Sequence, residues 1–278
     1  MSDDTFDVGW LRLREPTDHR SRSDRLAWTL AREALARGWD RGLDLGAGTG
    51  SNVRYLAPRL PMLERWTLVD HDSELLHQAG SPTNGATVRH VRGDLAREGL
   101  AEVETHDVVT ASALLDLVSA SWLSLLVSAC AASDCGVLFA LTFDGRIEWA
   151  DSDPEDALVL DAIDAHQRRD KGLGSALGPD AASSARAAFE AAGYRTWMES
   201  TPWILEGPGD QPLARALLDG WVQASVEQRP ADEKRIVGWG RRRWTQIDRG
   251  GFSVSVGHQD LLALPPQRTR RDTDEPGS

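Results

Sequence analysis

Short apolar runs alternate with segments of helical periodicity through the first half of the chain. The apolar runs predict five strands, at about 42–45, 65–70, 86–91, 107–111 and 136–143. Apolar residues three or four positions apart predict helices at about 23–37, 51–59, 72–79 and 114–132. Strands that alternate with helices at this spacing indicate an α/β fold with a parallel sheet and right-handed crossovers.

The pattern changes after residue 143. No strand-like run appears in 144–179, which predicts a loop, a helix at about 154–168 and a glycine-rich link. A helix at 181–192, a sixth strand at 194–200 continued by 203–205, two helices at 212–228 and 232–248, and a seventh strand at 251–258 follow. Glu15-Pro16 predicts a break within the polar stretch 1–23.

These patterns predict a single domain over residues 1–264. A cover and helix, 1–38, precede a ligand-binding core, 39–143, and inserted helices at 144–180 and 208–249 are expected to cover the substrate. The tail 265–278 is rich in proline and charge, which predicts disorder.

The first strand ends in a glycine turn. Leu43-Asp44-Leu45 leads into Gly46, Gly48 and Gly50, and a helical pattern follows. Glycines let a ligand lie against bare backbone, and the helix start offers unpaired N–H groups. A dinucleotide turn would place its third glycine at position 51, which is Ser51.

Acidic residues follow two more of the predicted strands. Asp70 ends the second strand, where a carboxylate can accept both hydroxyls of a ribose, and Gly93-Asp94-Leu95 follows the third. Ala111–Asp116 comes after the fourth strand. Ligands of open α/β sheets bind outside the carboxyl ends of the strands, so these segments predict a nucleoside site.

The glycine turn, Asp70, Asp94 and the segment after the fourth strand together resemble class I S-adenosylmethionine-dependent methyltransferases. The resemblance implies a Rossmann-like open sheet of seven strands, mostly parallel, with an antiparallel last strand beside the fifth. Helices on both faces and extra helices over the ligand edge belong to this expectation. It also implies that Asp94 accepts from the adenine amino group, that Leu95 covers the ring and that residues 112–114 flank the sulfonium.

The resemblance implies transfer of a methyl group from S-adenosylmethionine, leaving S-adenosylhomocysteine. An arginine of the N-terminal segment is a candidate partner for the cofactor carboxylate. The cofactor-binding residues predicted in this way are Arg14, Arg22, Asp44, Gly46, Ala47, Gly48, Gly50, Asp70, His71, Asp94, Leu95, Ser112, Ala113 and Leu114.

In-line methyl transfer rests on positioning, helped by a base where the acceptor is a hydroxyl or amine. The candidates for orienting or deprotonating the acceptor are His166, Asp116 and Asp144. Trp149 and Trp203, which follow strand ends, are candidate aromatic walls for the acceptor, and Arg169 is a candidate partner for an acidic one. Helical spacing favours packing roles for Trp221 and Trp244.

The composition of the chain limits the classes of partner that we expect. The 278 residues carry 31 basic and 43 acidic side chains, a net charge of −12, which disfavours nucleic acid as a partner. No apolar run reaches the ~18 residues of a membrane span. The acidic start lacks the features of a secretory signal, and Cys130 and Cys135 do not form a metal set, so we expect a cytoplasmic protein with no metal.

A small-molecule methyl acceptor is the favoured substrate, since no Asn-Pro-Pro-Tyr or Asp-Pro-Pro-Tyr motif follows the fourth strand. Two alternatives stay open. One is a nicotinamide-dependent oxidoreductase, against which Ser51 and Gly93-Asp94-Leu95 argue. The other is a non-catalytic module that binds S-adenosylmethionine and regulates a partner.

Overall fold

The computed structural model describes residues 7–80 and 85–266, so most of the predicted disordered tail, 267–278, lies outside the described residues. Within these residues the strands form an eight-stranded sheet in the order β3-β2-β1-β4-β5-β8-β6, with β7 also paired to β8. The strands are β1 (Arg41–Leu45), β2 (Arg65–Asp70), β3 (Thr87–Arg92), β4 (Val108–Ser112), β5 (Gly136–Trp149), β6 (Arg195–Ser200), β7 (Trp203–Glu206) and β8 (Ser253–Leu264).

Strands β1 to β5 pair in parallel, and β8 lies antiparallel between β5 on one side and β6 and β7 on the other. The predicted fold class is therefore confirmed, including the antiparallel last strand beside the fifth. The parallel strands bring the ends of β1, β2, β3 and β4 to one edge of the sheet, which is where the candidate site lies.

The α-helices surround the sheet. They are α1 (Val8–Ser21), α2 (Asp24–Arg37), α3 (Ser51–Leu56), α4 (Ser73–Gln78), α5 (Leu100–Val103), α6 (Ala120–Ser133), α7 (Asp156–Gln167), α8 (Ala181–Ala191), α9 (Gly207–Gln228) and α10 (Glu233–Asp248). Short one-turn helices occupy Leu95–Gly99, Leu115–Leu117, Gly178–Asp180 and Pro230–Asp232.

Three apolar clusters hold these layers together. Side chains of α2 and α3 pack on one face of the sheet, and those of α6 and α8 pack on the other. A third cluster joins α7, α9 and α10 to the far ends of β5, β7 and β8. The inserted helices thus extend the body beyond the carboxyl ends of the strands.

The predicted sixth strand is two strands. Thr201 and Pro202 separate β6 from β7, because proline has no N–H to donate to the ladder. Both pieces still pair with the same edge of β8. Between them the Thr201 N–H donates a hydrogen bond to the carbonyl of His258, which keeps the chain next to β8. This break accounts for eight strands where seven were expected.

Strand β5 continues to Trp149, where the sequence predicted a loop after Phe143. The long β8 supplies partners as far as the Trp149–Val254 pair. Register shifts between Phe139 and Thr142 and between Phe143 and Ile147 mark bulges that bend the strand, and the apolar pattern of a straight strand is lost there.

Helix α1 runs through Pro16, where a break was expected. Proline removes one backbone hydrogen bond, but side-chain contacts hold the helix on both sides of it. Arg14 binds Asp18 one turn later, and Glu15 accepts two bonds from Arg54 of the body. None of the helices in the described part of the chain is both long and apolar enough to cross a membrane.

Candidate functional site

A cleft of about 770 Å³ lies at the carboxyl ends of β1 to β4. Helix α1 and the segment that follows α7 cover it. All but two of the predicted cofactor residues line this cleft: Arg14, Arg22, Gly46, Ala47, Gly48, Asp70, His71, Asp94, Leu95, Ser112, Ala113 and Leu114. The two outside the lining are Asp44 and Gly50.

The glycine turn after β1 requires glycine at its first positions. Gly46 and Gly48 have φ of +65° and +51°, in the left-handed region that other residues rarely adopt. A Cβ on Gly46 would also lie 3.2 Å from the Leu114 side chain. The turn therefore brings bare backbone to the cleft, and Leu11 of α1 lies directly over Gly48.

Asp70 at the end of β2 is held by backbone amides. Its Oδ2 accepts from the Gly48 N–H at 2.8 Å and its Oδ1 from the Asp72 N–H at 3.0 Å. These bonds join the end of β2 to the glycine turn and orient the carboxylate at the cleft. A carboxylate has about four acceptor sites, so capacity for two hydroxyls of a ligand remains.

Asp94 caps the one-turn helix after β3. Its Oδ1 accepts from the Ala96 N–H at 2.7 Å, and its own N–H donates to Glu98. The neighbouring Leu95 is fixed from behind, because the Trp122 indole donates to its carbonyl. One acidic and one apolar side chain are thus presented to the cleft side by side.

The segment after β4 has an unusual backbone. Ala113 has a φ of +52°, and its N–H donates to the carbonyl of Ala140 on β5 at 2.9 Å. Left-handed backbone at a residue with a side chain costs roughly 1–2 kcal/mol and is found preferentially at functional sites. Here it places Ser112, Ala113 and Leu114 along the wall of the cleft.

Two arginines reach the cleft from the N-terminal segment. Arg22 is buried, with Nη1 donating to Asn52 at 2.8 Å, Nε 3.7 Å from Asp260 and the guanidinium over Tyr55. Its Nε lacks a hydrogen-bond partner among the described residues.

Arg14 forms a bidentate ion pair with Asp18, and its guanidinium lies 4.9 Å from the Trp203 ring centre. Asp18 is deeply buried, and this burial raises its pKa against the lowering effect of Arg14.

Two predicted acids are buried behind the lining. Asp44 accepts from Asn52 and Thr110, and burial raises its pKa to about 6. Asp116 lies in the one-turn helix after β4, and burial raises its pKa to about 6 as well. Leu114 and Leu117 on either side of Asp116 face the cleft, whereas its own Oδ1 has no partner in the described part of the chain.

His166 is the predicted base that the structure places in the cleft lining. It lies in the last turn of α7, with Nε2 3.5 Å from Glu227 of α9. Burial and the charges of Lys171 and Arg169 lower its pKa below the ordinary 6.5. The imidazole is therefore neutral at pH 7 and able to accept a proton.

The other predicted catalytic and substrate residues lie outside the lining. Asp144 is bound by Arg146 and Gln259, whose hydrogen bonds lower its pKa although burial raises it. Trp149 packs between Trp221 and Trp239 in the third cluster. Trp221 thus has the packing role that its helical spacing favoured.

The remaining predicted substrate residues have different surroundings. Trp203 is 2% exposed, and its ring lies 4.8 Å from the His258 ring, tilted by 43°. Arg169 is exposed on the surface and is absent from the cleft wall.

Other lining residues had not been identified from the sequence. They are Leu11, Asp18, His19, Thr49, Ser51, Asn52, Asp72, Leu75, Leu117, Gln167, Lys171, Gly172 and Leu173. Leu11, Arg14, Asp18 and Arg22 recur three or four positions apart, so one continuous helix over this stretch would have shown their common face. Residues 171–173 belong to the predicted glycine-rich link, whose pattern indicates a connection and not a site.

A family model described as a methyltransferase domain matches residues 43–133. Among solved structures, the chain is similar to a cyclopropane-fatty-acyl-phospholipid synthase-like protein from Lactobacillus casei, with 17% identity, a TM-score of 0.52 and 91% of each chain covered. It is also similar to a SAM-dependent methyltransferase from Geobacter sulfurreducens in complex with S-adenosyl-L-homocysteine, with 15% identity, a TM-score of 0.42, and 92% of this chain and 98% of that one covered.

An O-methyltransferase family protein from Burkholderia thailandensis shares 13% identity at a TM-score of 0.47; 93% of this chain is covered, and it spans 58% of the Burkholderia chain. No curated protein sequence matches. At these identities the likeness to solved structures concerns the fold alone. The stretch that the methyltransferase-domain model matches, residues 43–133, contains β1 to β4 and the strand-end segments of the cleft that carry the resemblance to class I S-adenosylmethionine-dependent methyltransferases.

Proposed function

We propose that this chain transfers a methyl group from S-adenosylmethionine to a small-molecule acceptor. The observation that carries the proposal is the convergence of four strand-end segments on one cleft. They are the glycine turn after β1, Asp70 after β2, Asp94-Leu95 after β3 and Ser112–Leu114 after β4. A cleft of about 770 Å³ falls within the size range of small-molecule sites.

Each segment suits one part of the cofactor. Asp70 would accept the ribose hydroxyls, and Asp94 would accept from the adenine amino group, with Leu95 against the ring. The bare backbone at Gly46 and Gly48 leaves room for the methionine part. The buried guanidinium of Arg22 would pair with its carboxylate.

When bound, S-adenosylmethionine supplies an electrophilic methyl group that an acceptor atom displaces in line. The chain's own contribution is to hold the acceptor, to exclude water and to remove a proton where the acceptor is a hydroxyl or amine. His166 is the group that we assign to proton removal, because it lines the cleft and its pKa is lowered. A neutral imidazole at pH 7 needs no prior deprotonation.

The cofactor assignment is tested by ligand-dependent thermal stability. S-adenosylmethionine and S-adenosylhomocysteine should each raise the melting temperature, and a ligand at 100 times its Kd adds about 2.7 kcal/mol to the free energy of unfolding. The oxidised and reduced nicotinamide dinucleotides should leave it unchanged. A shift with a nicotinamide dinucleotide alone would instead favour the oxidoreductase.

Asp70→Ala is the diagnostic variant. Loss of a charged acceptor of two hydroxyl bonds should weaken S-adenosylhomocysteine binding by at least about tenfold in titration calorimetry. Asp161→Ala, which removes an exposed acid of α7 outside the lining, is the matched control. Equal affinities of the two variants would refute the ribose assignment.

Catalysis is tested by incubating the protein with methyl-labelled S-adenosylmethionine and pools of small metabolites. A labelled product other than S-adenosylmethionine breakdown products supports the transfer and identifies the acceptor. Binding of both adenosyl ligands without any labelled product from broad pools would favour the non-catalytic, regulatory alternative.

A further inference from the structure

A buried carboxylate on β8 joins the sheet to the N-terminal segment. Asp260 is 1% exposed and lies opposite the register shift of β5 between Phe139 and Thr142. It is outside the cleft lining and had not been identified from the sequence. Acids are rarely buried to this extent unless they are paired or hydrogen-bonded, so the contacts of Asp260 show what it holds in place.

The Oδ1 atom of Asp260 binds the sheet. It accepts from the Leu141 N–H at 2.8 Å and from the Thr201 hydroxyl at 3.0 Å. Leu141 has a φ of +52°, a left-handed conformation that persists in a residue with a side chain only where its surroundings hold it. These two bonds fix the carboxylate between β5 and the junction of β6 with β7.

The Oδ2 atom of Asp260 faces the N-terminal segment. It accepts from the Ser23 N–H at 3.0 Å and lies 3.7 Å from Arg22 Nε. Arg22 follows the last residue of α1, and Ser23 is the N-cap of α2. One oxygen therefore contacts both the guanidinium of Arg22 and the backbone directly after it.

Asp260 supplies a counter-charge for Arg22 without accepting a hydrogen bond from it. Nε of Arg22 has no hydrogen-bond partner in the described part of the chain, whereas Nη1 donates to Asn52 at 2.8 Å. The other acid of this network, Asp44, is separated from Arg22 by Asn52. A buried cation without a counter-charge is strongly unfavourable, so the ion pair with Asp260 stabilises Arg22 at the cleft wall.

We propose that Asp260 is a positioning residue for the methionine end of the cofactor, because it holds the guanidinium of Arg22 where the cofactor carboxylate binds. This inference rests on the proposed function, in which Arg22 pairs with that carboxylate. The nucleoside is placed at the ends of β2 and β3, whereas the bonds of Asp260 run to β5, to Thr201 and to the start of α2. Loss of Asp260 should therefore affect ligands that carry the carboxylate.

Asp260→Asn removes the counter-charge and keeps one acceptor oxygen for the sheet. S-adenosylhomocysteine should bind at least about tenfold more weakly in calorimetry, because part of the binding free energy is then used to bring Arg22 back to the cleft. The affinity for 5′-methylthioadenosine, which has no carboxylate, should hardly change. Thr201→Val is the matched control: it removes a bond to Oδ1 of the same carboxylate and should leave the ratio of the two affinities unchanged.

A double variant tests whether Asp260 acts through Arg22. Arg22→Met combined with Asp260→Asn should bind S-adenosylhomocysteine as weakly as Arg22→Met alone, and no more weakly. It should also unfold at a higher temperature than Asp260→Asn, since no buried cation is left without a counter-charge. This second comparison needs no ligand and also applies where Asp260→Asn alone does not fold, because Arg22→Met should then restore folding.

Three results would overturn the proposal. Asp260→Asn that binds S-adenosylhomocysteine as tightly as the wild type, or more tightly, would show that Asp260 only competes with the cofactor carboxylate for Arg22. Equal losses of affinity for S-adenosylhomocysteine and 5′-methylthioadenosine, or a double variant no more stable than Asp260→Asn, would show that Asp260 serves the sheet alone. Failure of S-adenosylhomocysteine to raise the melting temperature of the wild type would contradict the proposed function instead.

Discussion

Asp44→Asn should make the protein gain stability relative to the wild type as the pH rises from about 4 to about 8. Asp44 is fully buried at the end of β1, where its Oδ1 accepts from Asn52 Nδ2 at 2.6 Å and from Thr110 Oγ1 at 2.8 Å. Its Oδ2 has no partner among the described residues. An asparagine oxygen can accept the same two bonds, so the substitution removes a buried charge. Its Nδ2 takes the place of the unpartnered Oδ2, however, and buries two donors there at a cost of about 1–3 kcal/mol that does not depend on pH.

The size of the effect follows from the pKa. Burial raises the pKa of Asp44 from the ordinary 3.8 to about 6, against the hydrogen bonds from Asn52 and Thr110 and the charge of Arg22. A pKa difference of about 2 corresponds to about 3 kcal/mol. Since the side chain is fully buried, solvent screening does not reduce this figure.

The sign depends on pH. Between pH 3.8 and about 6 the folded state binds more protons than the unfolded state, so the stability of the wild type falls as pH rises through this window. Below it the carboxyl is neutral in both states. The variant lacks this dependence, so its stability relative to the wild type should rise by about 3 kcal/mol between about pH 4 and about pH 8.

Urea unfolding of both proteins at several pH values measures this difference directly. The other titrating groups are common to the two proteins and cancel in the subtraction. A stability difference between the two proteins that does not change between about pH 4 and about pH 8 would show that the burial argument for Asp44 is wrong.

Three further substitutions separate binding, catalysis and stability. Arg22→Met should lower the affinity for S-adenosylhomocysteine by at least about tenfold in calorimetry but hardly change the affinity for 5′-methylthioadenosine, which lacks the carboxylate. Equal losses of affinity for the two ligands would show that Arg22 does not bind the cofactor carboxylate. His166→Gln should slow methyl transfer by about 100-fold in single-turnover assays with unchanged cofactor affinity, and wild-type transfer should decline only below about pH 6.5, since the pKa of His166 is lowered. Arg243→Met breaks the ion pair with Asp156, in which the Arg243 side chain is 3% exposed. The free energy of unfolding in urea should fall by about 3 kcal/mol, whereas the thermal shift with S-adenosylhomocysteine should stay the same.

The side of the cleft formed by the strand ends could be predicted from the sequence because its geometry is local. Asp70 and Asp94 each follow a strand directly, and parallel pairing brings strand ends to one edge whatever the rest of the chain does. The glycine turn carries its own signal, since φ values such as the +65° of Gly46 admit little else. Strand ends and turns therefore predict positions without knowledge of tertiary packing.

The side of the cleft opposite the strand ends has no such local signature. Leu11 lies over Gly48 only because α1 continues through Pro16, and side-chain bonds from residues far along the chain hold it there. Lys171 reaches the cleft because Asp170 closes a turn whose position depends on a bridge to Ser119. Contacts of this kind join segments distant in sequence, so periodicity within either segment does not show them.

The tryptophans illustrate how a correct local observation leads to the wrong surroundings. Trp203 follows a strand end, as expected of a binding wall, but β7 pairs with β8 and alternates buried and exposed residues, which turns Trp203 inward onto His258. Trp149 ends a β5 longer than predicted and is carried into the third cluster. Aromatic side chains bury large areas, so a sheet edge that helices cover takes them as core.

The same reasoning separates the three candidates for the base. Arg146, two residues along the chain from Asp144, forms an ion pair with it. The carboxylate of Asp144 is therefore already bound within the chain. Asp116 turns behind the two leucines that flank it on a tight helix, which buries it. His166 is the last of the three in sequence and the farthest from any strand end, yet α7 brings it to the cleft because α9 holds it through Glu227. Proximity along the chain to a strand end was therefore a poor guide to this side of the cleft, where α7 and the segment after it supply the lining.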